Sequence, residues 1–103
     1  MSALDLVVEP VTVKRTVIHV AGDLDAVSAD ELKACVRAVG AGSTCVILDV
    51  TDVSFIDSVG IGALVGLHRE LDAESRMLQL RNLSEQLKRA FEITGVDRIL
   101  HLV

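Results

Sequence analysis

The pair Asp57-Ser58, followed by Gly60, places a hydroxyl next to a carboxylate at the head of a glycine-rich apolar run. Thr51 and Ser54 stand upstream in the same stretch, Asp49-Val50-Thr51-Asp52-Val53-Ser54-Phe55-Ile56-Asp57-Ser58-Val59-Gly60-Ile61-Gly62. A serine in this company has three kinds of work open to it: nucleophilic attack, capping of a helix, or acceptance of a phosphoryl group. Nucleophilic attack fits poorly, because a hydrolase elbow has glycine two residues before its serine, where this chain has Ile56. It also needs a base, and His19, His68 and His101 have neither triad nor metal-ligand spacing. The run Gly60-Ile61-Gly62-Ala63-Leu64-Val65-Gly66 spaces its glycines one residue too widely for a dinucleotide fingerprint. The chain is therefore read as a non-enzyme with no cofactor and no metal.

A receiver-type acceptor is the rival chemistry. Val46-Ile47-Leu48-Asp49 would end a strand in a carboxylate, with Asp23 and Asp25 to bind magnesium. That chemistry also wants a lysine at the end of a late strand, and Lys14, Lys33 and Lys88 are not so placed.

The elements that must position Ser58 alternate. Leu4, Leu6 and Val8 up to Glu9-Pro10 predict an edge strand, and Val13 to Ala21 a second strand stopping at Gly22. Ser28-Ala29-Asp30-Glu31 reads as a capping box opening a helix whose stripe is Leu32, Cys35, Val36 and Val39, with Cys35 inward and Gly40 as a left-handed stop. Cys45 to Leu48 predicts a central strand covered on both faces, ending at Asp49. A connection of about a dozen residues then leads to the second helix, Val59 to Glu74, where 2 to 6 usually suffice. That excess length, and glycines at 60, 62 and 66, suggest that backbone access is wanted here. Met77 to Leu80, a helix through Leu87, Ala90, Phe91 and Thr94 closed by Gly95, and a strand near Ile99 to Val103 complete the pattern. The expected fold is one α/β domain over residues 1–103, a mixed four- to five-stranded sheet packed by about three helices. Ligand sites gather at the carboxyl ends of such strands, which brings Gly22-Asp23-Leu24-Asp25 beside Ser58.

Composition narrows the function. At 103 residues with 50% hydrophobic and 24% charged, the chain has one core and no cleft between domains. Ten basic against 15 acidic residues give a net charge of -5, which offers no attraction to nucleic acid or anionic membranes. Phe55 and Phe91, the only aromatics, are too few to stack bases or flavins. No apolar run reaches the length of a membrane span, and Met1-Ser2-Ala3-Leu4-Asp5 lacks a signal pattern, so a cytoplasmic location is expected. Cys35 and Cys45 read as small core residues.

Taken together, Gly22-Asp23-Leu24-Asp25, Val53 through Gly62 and Leu87 through Val96 resemble the anti-sigma factor antagonists, bacterial members of the STAS domain family. The similarity runs over essentially the whole chain, and Asp57-Ser58-Val59-Gly60 is its most specific part. It implies a STAS-like domain that regulates transcription by partner switching. The unphosphorylated form would bind an anti-sigma factor that is also a serine kinase and so free a sigma factor, and a serine phosphatase would restore that state. The resemblance makes Ser58 the phosphoacceptor. Asp23, Asp25, Ser54, Ile56, Asp57, Val59, Gly60 and Ile61 would form the partner-facing surface. Val59 replaces a frequent second hydroxyl, while Ser54 and Thr51 are secondary acceptors or satisfy local backbone groups. Members commonly continue into a further helix beyond the position of Val103, so part of the sheet is expected to be less covered. Related domains also serve in stress-signalling complexes.

Electrostatics make such a switch workable. A phosphoserine carries about -1.5 to -2 charges. Facing a like charge about 6 Å away at an effective dielectric near 20, it costs roughly 2 to 3 kcal/mol, or about tenfold to hundredfold in affinity. Amides from Val59 to Gly62 at the helix start are expected to tolerate the anion in the free protein.

Overall fold

The computed structural model describes residues 4–103, so Met1, Ser2 and Ala3 of the start segment lie outside the described residues. In chain order the elements are β1 (Leu4–Pro10), β2 (Arg15–Leu24), α1 (Ala29–Ala38), β3 (Cys45–Ile56), α2 (Ser58–Ala73), β4 (Met77–Arg81), α3 (Glu85–Thr94), a short 3-10 turn (Val96–Arg98) and β5 (His101–Leu102). The sheet order is β1-β2-β3-β4-β5, with β1 antiparallel to β2 and the other pairings parallel. The mixed five-stranded sheet and three helices match the expected fold.

Parallel strands that step in one direction through right-handed crossovers put every crossover helix on the same face. Strand alternation confirms the division. Ile18, Leu48 and Leu80 share a row of register and belong to one core with Leu32 and Val36 of α1, Leu64 and Leu67 of α2, and Leu87 and Phe91 of α3. The neighbouring row, His19, Asp49 and Arg81, faces away from the helices. The central strand is thus covered by helices on one face, not both as expected. Its run of buried residues reflects Ile47 and Asp49 being enclosed on the second face as well.

Two strands are longer than predicted, and both extensions build the site. β2 does not stop at Gly22. It passes through that residue at φ 115 and continues to Leu24, paired with Val53, Phe55 and Ile56 of β3. β3 likewise runs to Ile56, so the long loop expected after Asp49 is strand, and one residue, Asp57, joins it to α2. Register shifts between His19 and Ala21 and between Gly22 and Asp23 break the alternation along this part, which is why it does not read as a strand in sequence.

The ends of α1 also differ from expectation. Ser28 has near-helical angles (φ -94, ψ -14) and makes no side-chain cap bond. Its fully buried hydroxyl instead donates to the Asp23 carbonyl at 2.7 Å and accepts from the Asp25 amide at 3.0 Å. Gly40 is not left-handed. The helix leaves through Val39 in an extended conformation, and the Arg76 guanidinium takes up the carbonyls of Val39, Gly40 and Ser43. By contrast α3 ends as predicted, with Gly95 at φ 79 closing the helix, and it starts at Ser84, not singled out from sequence, which accepts from the Leu87 amide.

Candidate functional site

Ser58 is the first residue of α2 and is exposed. It is not the cap. That position belongs to Asp57, whose Oδ1 accepts from the Gly60 amide at 2.9 Å while its own amide donates to the Leu24 carbonyl at 3.2 Å and its carbonyl accepts from Ile61 at 2.9 Å. The structural duty of the motif therefore falls on the carboxylate. Among the described residues, no hydrogen bond engages the Ser58 hydroxyl, which leaves it available for chemistry.

Gly60 explains the tightness of this corner. A Cβ built there would lie 2.3 Å from the Leu24 carbonyl oxygen, so the first turn of α2 presses on the end of β2. Gly62 and Gly66 have no such neighbour within 4 Å, and the backbone access expected of three glycines is required at one.

The acidic segment predicted to lie beside Ser58 does so through that contact between Leu24 and Asp57. Asp23 Oδ1 accepts from the Ser54 hydroxyl at 3.2 Å, joining β2 to β3 near their carboxyl ends. Asp25 Oδ1 accepts from the Val27 and Ser28 amides at 3.0 and 3.1 Å and thereby shapes the turn into α1. Ile56 and Ile61, named as partner-facing, are only half exposed and pack against the core. The apolar surface at this end of the sheet comes from Val59 (48% exposed), as expected, and from Phe55 (47%) and Val27 (72%). Phe55 and Val27 were not singled out from sequence. Phe55 had a signal, since of the two aromatics Phe91 has the helical spacing of a core residue and Phe55 does not.

Asp49 does not form a receiver site. It sits in the middle of β3, away from the strand end that such a site needs, and its carboxylate is already engaged. Oδ1 accepts from the Thr51 amide at 3.1 Å and hydroxyl at 2.6 Å, and Oδ2 from Arg81 Nε at 3.1 Å and Asn82 Nδ2 at 3.2 Å. Burial works to raise its pKa, but the bonds from Thr51, Arg81 and Asn82 outweigh it and hold the carboxyl at about 2. Thr51 is thereby committed to Asp49, whereas Ser54 is bonded only to Asp23. His68 and His101 approach edge to face at 5.4 Å and His19 bonds Glu9 at 2.7 Å, yet no group of three or more ligating side chains suited to a metal occurs among the described residues. Cys35 and Cys45 are free thiols, each only half-buried and not fully inward as expected, and burial pushes the Cys35 pKa up. No helix among the described residues is long and apolar enough to cross a membrane.

Comparison with known proteins bears on what this corner is for. The STAS domain pattern matches residues 5–103. The chain belongs to that family. The STAS chain is 37% identical over 86 residues to the anti-sigma-B factor antagonist of Listeria monocytogenes serovar 1/2a, covering 82% of this chain and 75% of that one. Among solved structures it is similar to the anti-sigma factor antagonist SpoIIAA in its unphosphorylated form, with TM-score 0.69, 27% identity and coverage of 92% and 97%. It is also similar to the Bacillus cell fate determinant SpoIIAA in the phosphorylated form, with TM-score 0.73, 27% identity and coverage of 96% and 91%. These relatives are regulatory antagonists, in keeping with the non-enzyme reading of the sequence.

Proposed function

We propose that this STAS domain is a cytoplasmic anti-sigma factor antagonist that switches partners by phosphorylation of Ser58. The observation that carries the proposal is the division of labour at the head of α2, where Asp57 caps the helix and leaves the neighbouring hydroxyl exposed and unbonded. A serine needed for its fold would resist esterification; this one can take a phosphoryl group without losing a bond. The partner is an anti-sigma factor with serine kinase activity, and a serine phosphatase resets the switch. Docking uses Phe55, Val59 and Val27 as apolar contacts beside the Ser58 hydroxyl, so the facing surface should be apolar there, with an acidic group close to the hydroxyl.

In this reading Ser54 and Gly60 act indirectly, Ser54 by fixing Asp23 and Gly60 by admitting the β2 carbonyl. Incubation with the cognate kinase and ATP is expected to place one acid-stable phosphate on the chain, mapped to Ser58 by mass spectrometry. Label of equal stoichiometry on a Ser58→Ala chain defeats the assignment. Ser58→Ala is expected to keep partner affinity, and phosphoserine at that position to lower it about tenfold to hundredfold.

A further inference from the structure

The amides at the head of α2 are a place near Ser58 where a phosphate could be neutralised, and half of that place is taken. The Gly60 amide donates to the Asp57 carboxylate at 2.9 Å and the Ile61 amide to the Asp57 carbonyl at 2.9 Å, so of the amides from Ser58 to Ile61 two are already bonded to Asp57. The cap is anchored on its other side as well, by the Asp57 amide on the Leu24 carbonyl at 3.2 Å and by the lack of room at Gly60 for any shift toward β2. A phosphoryl group on Ser58 reaches the Gly60 amide only by expelling a carboxylate held from several directions. The expectation from sequence that the amides of Val59 to Gly62 receive the anion is narrowed by this geometry, because those of Gly60 and Ile61 are already bonded to Asp57.

We infer that Asp57 is a positioning residue of the switch: it holds the helix start against the Ser58 phosphate and keeps that charge standing outward on the docking face. The inference deepens the proposed function and rests on Ser58 being the acceptor. Two consequences follow for the outward phosphate. Its charge is not spent on the Gly60 amide and bears on a docked partner, and its phosphorus stays open to the water that a phosphatase must deliver. An ester buried in the amide cradle would be both quieter and harder to remove. Hydrolysis breaks the phosphorus–oxygen bond of the ester, with water supplying the oxygen to the departing phosphate and a proton to the restored hydroxyl.

The test uses the full chain with phosphoserine incorporated at position 58 during translation, so it does not depend on any kinase. Amide proton and nitrogen NMR follows Gly60 while phosphorus NMR follows the second ionisation of the phosphate near pH 6. In the otherwise unaltered chain the Gly60 amide is expected to stay at its unphosphorylated position through that titration. Asp57→Asn keeps a capping oxygen but removes the charge, and is expected to lower the phosphate's second pKa by roughly half a unit, the effect of one like charge about 6 Å away in a water-like dielectric. Asp57→Ala empties the cap, and there the Gly60 amide is expected to move downfield as the phosphate ionises. A downfield move of Gly60 in the unaltered phosphoprotein, or an unchanged phosphate ionisation in Asp57→Asn, overturns the inference. Failure of the proposed function shows separately, as kinase labelling that does not map to Ser58. The unaltered chain and Asp57→Asn keep the test decisive even if the alanine variant does not fold.

Discussion

Asp49 shows how a carboxylate can look functional in sequence and be structural in fact. Four donors converge on it from β3, Arg81 and Asn82, and Asn82 adopts φ 62, a conformation that asparagine tolerates better than most residues, beside this contact. Because the folded-state pKa lies near 2 against an ordinary 3.8, the charged form is favoured by folding. Its contribution is complete above about pH 4 and disappears as pH falls toward 2, and a difference of that size corresponds to about 2 kcal/mol. Asp49→Asn is accordingly expected to lower stability at pH 7 by roughly 1.5 to 3 kcal/mol and to flatten the acid limb of the stability profile between pH 4 and 2. Urea denaturation at a series of pH values measures both, and an unaltered acid limb in the variant shows that another group is responsible. Phe55 calls for the opposite experiment. Being half exposed, it is expected to cost little stability on replacement by alanine, while partner affinity falls about tenfold if it anchors the docking face. Calorimetric titration of the anti-sigma partner against Phe55→Ala separates the two.

At the scale of elements, α2 concentrates the informative contrasts. Gly60 and Gly62 are two residues apart in one helix turn, yet only the first is pressed against backbone. Gly62→Ala is expected to stabilise the protein by about 0.5 to 1 kcal/mol, since alanine suits a helix interior better and finds open space. Gly60→Ala forces β2 and α2 apart at the Leu24 carbonyl, and is expected to destabilise by more than about 1 kcal/mol and weaken the Asp57 cap. Thermal unfolding of the two variants is expected to move in opposite directions, and a common direction defeats the account of Gly60. The same helix shows what sequence could and could not convey. The apolar spacing of Ile61, Leu64, Val65, Leu67 and Leu71 announces α2, and that of Leu87, Ala90, Phe91 and Thr94 with Gly95 announces α3, because in both cases the signals are local. The second halves of β2 and β3 were hidden by register shifts that break the alternation used to recognise strands. Ser28 was read as a cap and capping was one of three roles open to Ser58, and at both places a neighbouring aspartate takes backbone amides instead. A hydroxyl beside a carboxylate at a helix start offers the backbone two acceptors, and which one wins depends on tertiary contacts: the burial of Ser28 against the Asp23 carbonyl in one case, the pinning of Asp57 by Leu24 in the other. Arg76 was equally silent in sequence, since the carbonyls it gathers belong to residues more than 30 positions earlier.

For the molecule as a whole, the arrangement separates what must be rigid from what must change. The three helices and one sheet face share a single core, and Ser58 stands outside it at the end where β2 and β3 finish, bonded to nothing that the core requires. Phosphorylation should therefore alter the surface and leave the fold as it is. The net charge would go from -5 to about -7 near neutral pH. With Asp57 still capping α2, the loss of stability from the added charge is expected to stay under about 1 kcal/mol, a shift in melting temperature of a few degrees at this chain length. Hydrogen exchange gives the finer reading. Protection in β2, β3 and β4 is expected to be the same in the two forms, with change confined to the first turn of α2 and to the segment from Asp23 to Ser28. Altered protection across the central strands would mean that the phosphate acts by refolding the sheet, and an explanation based on charge presented at an unchanged surface would have to be abandoned.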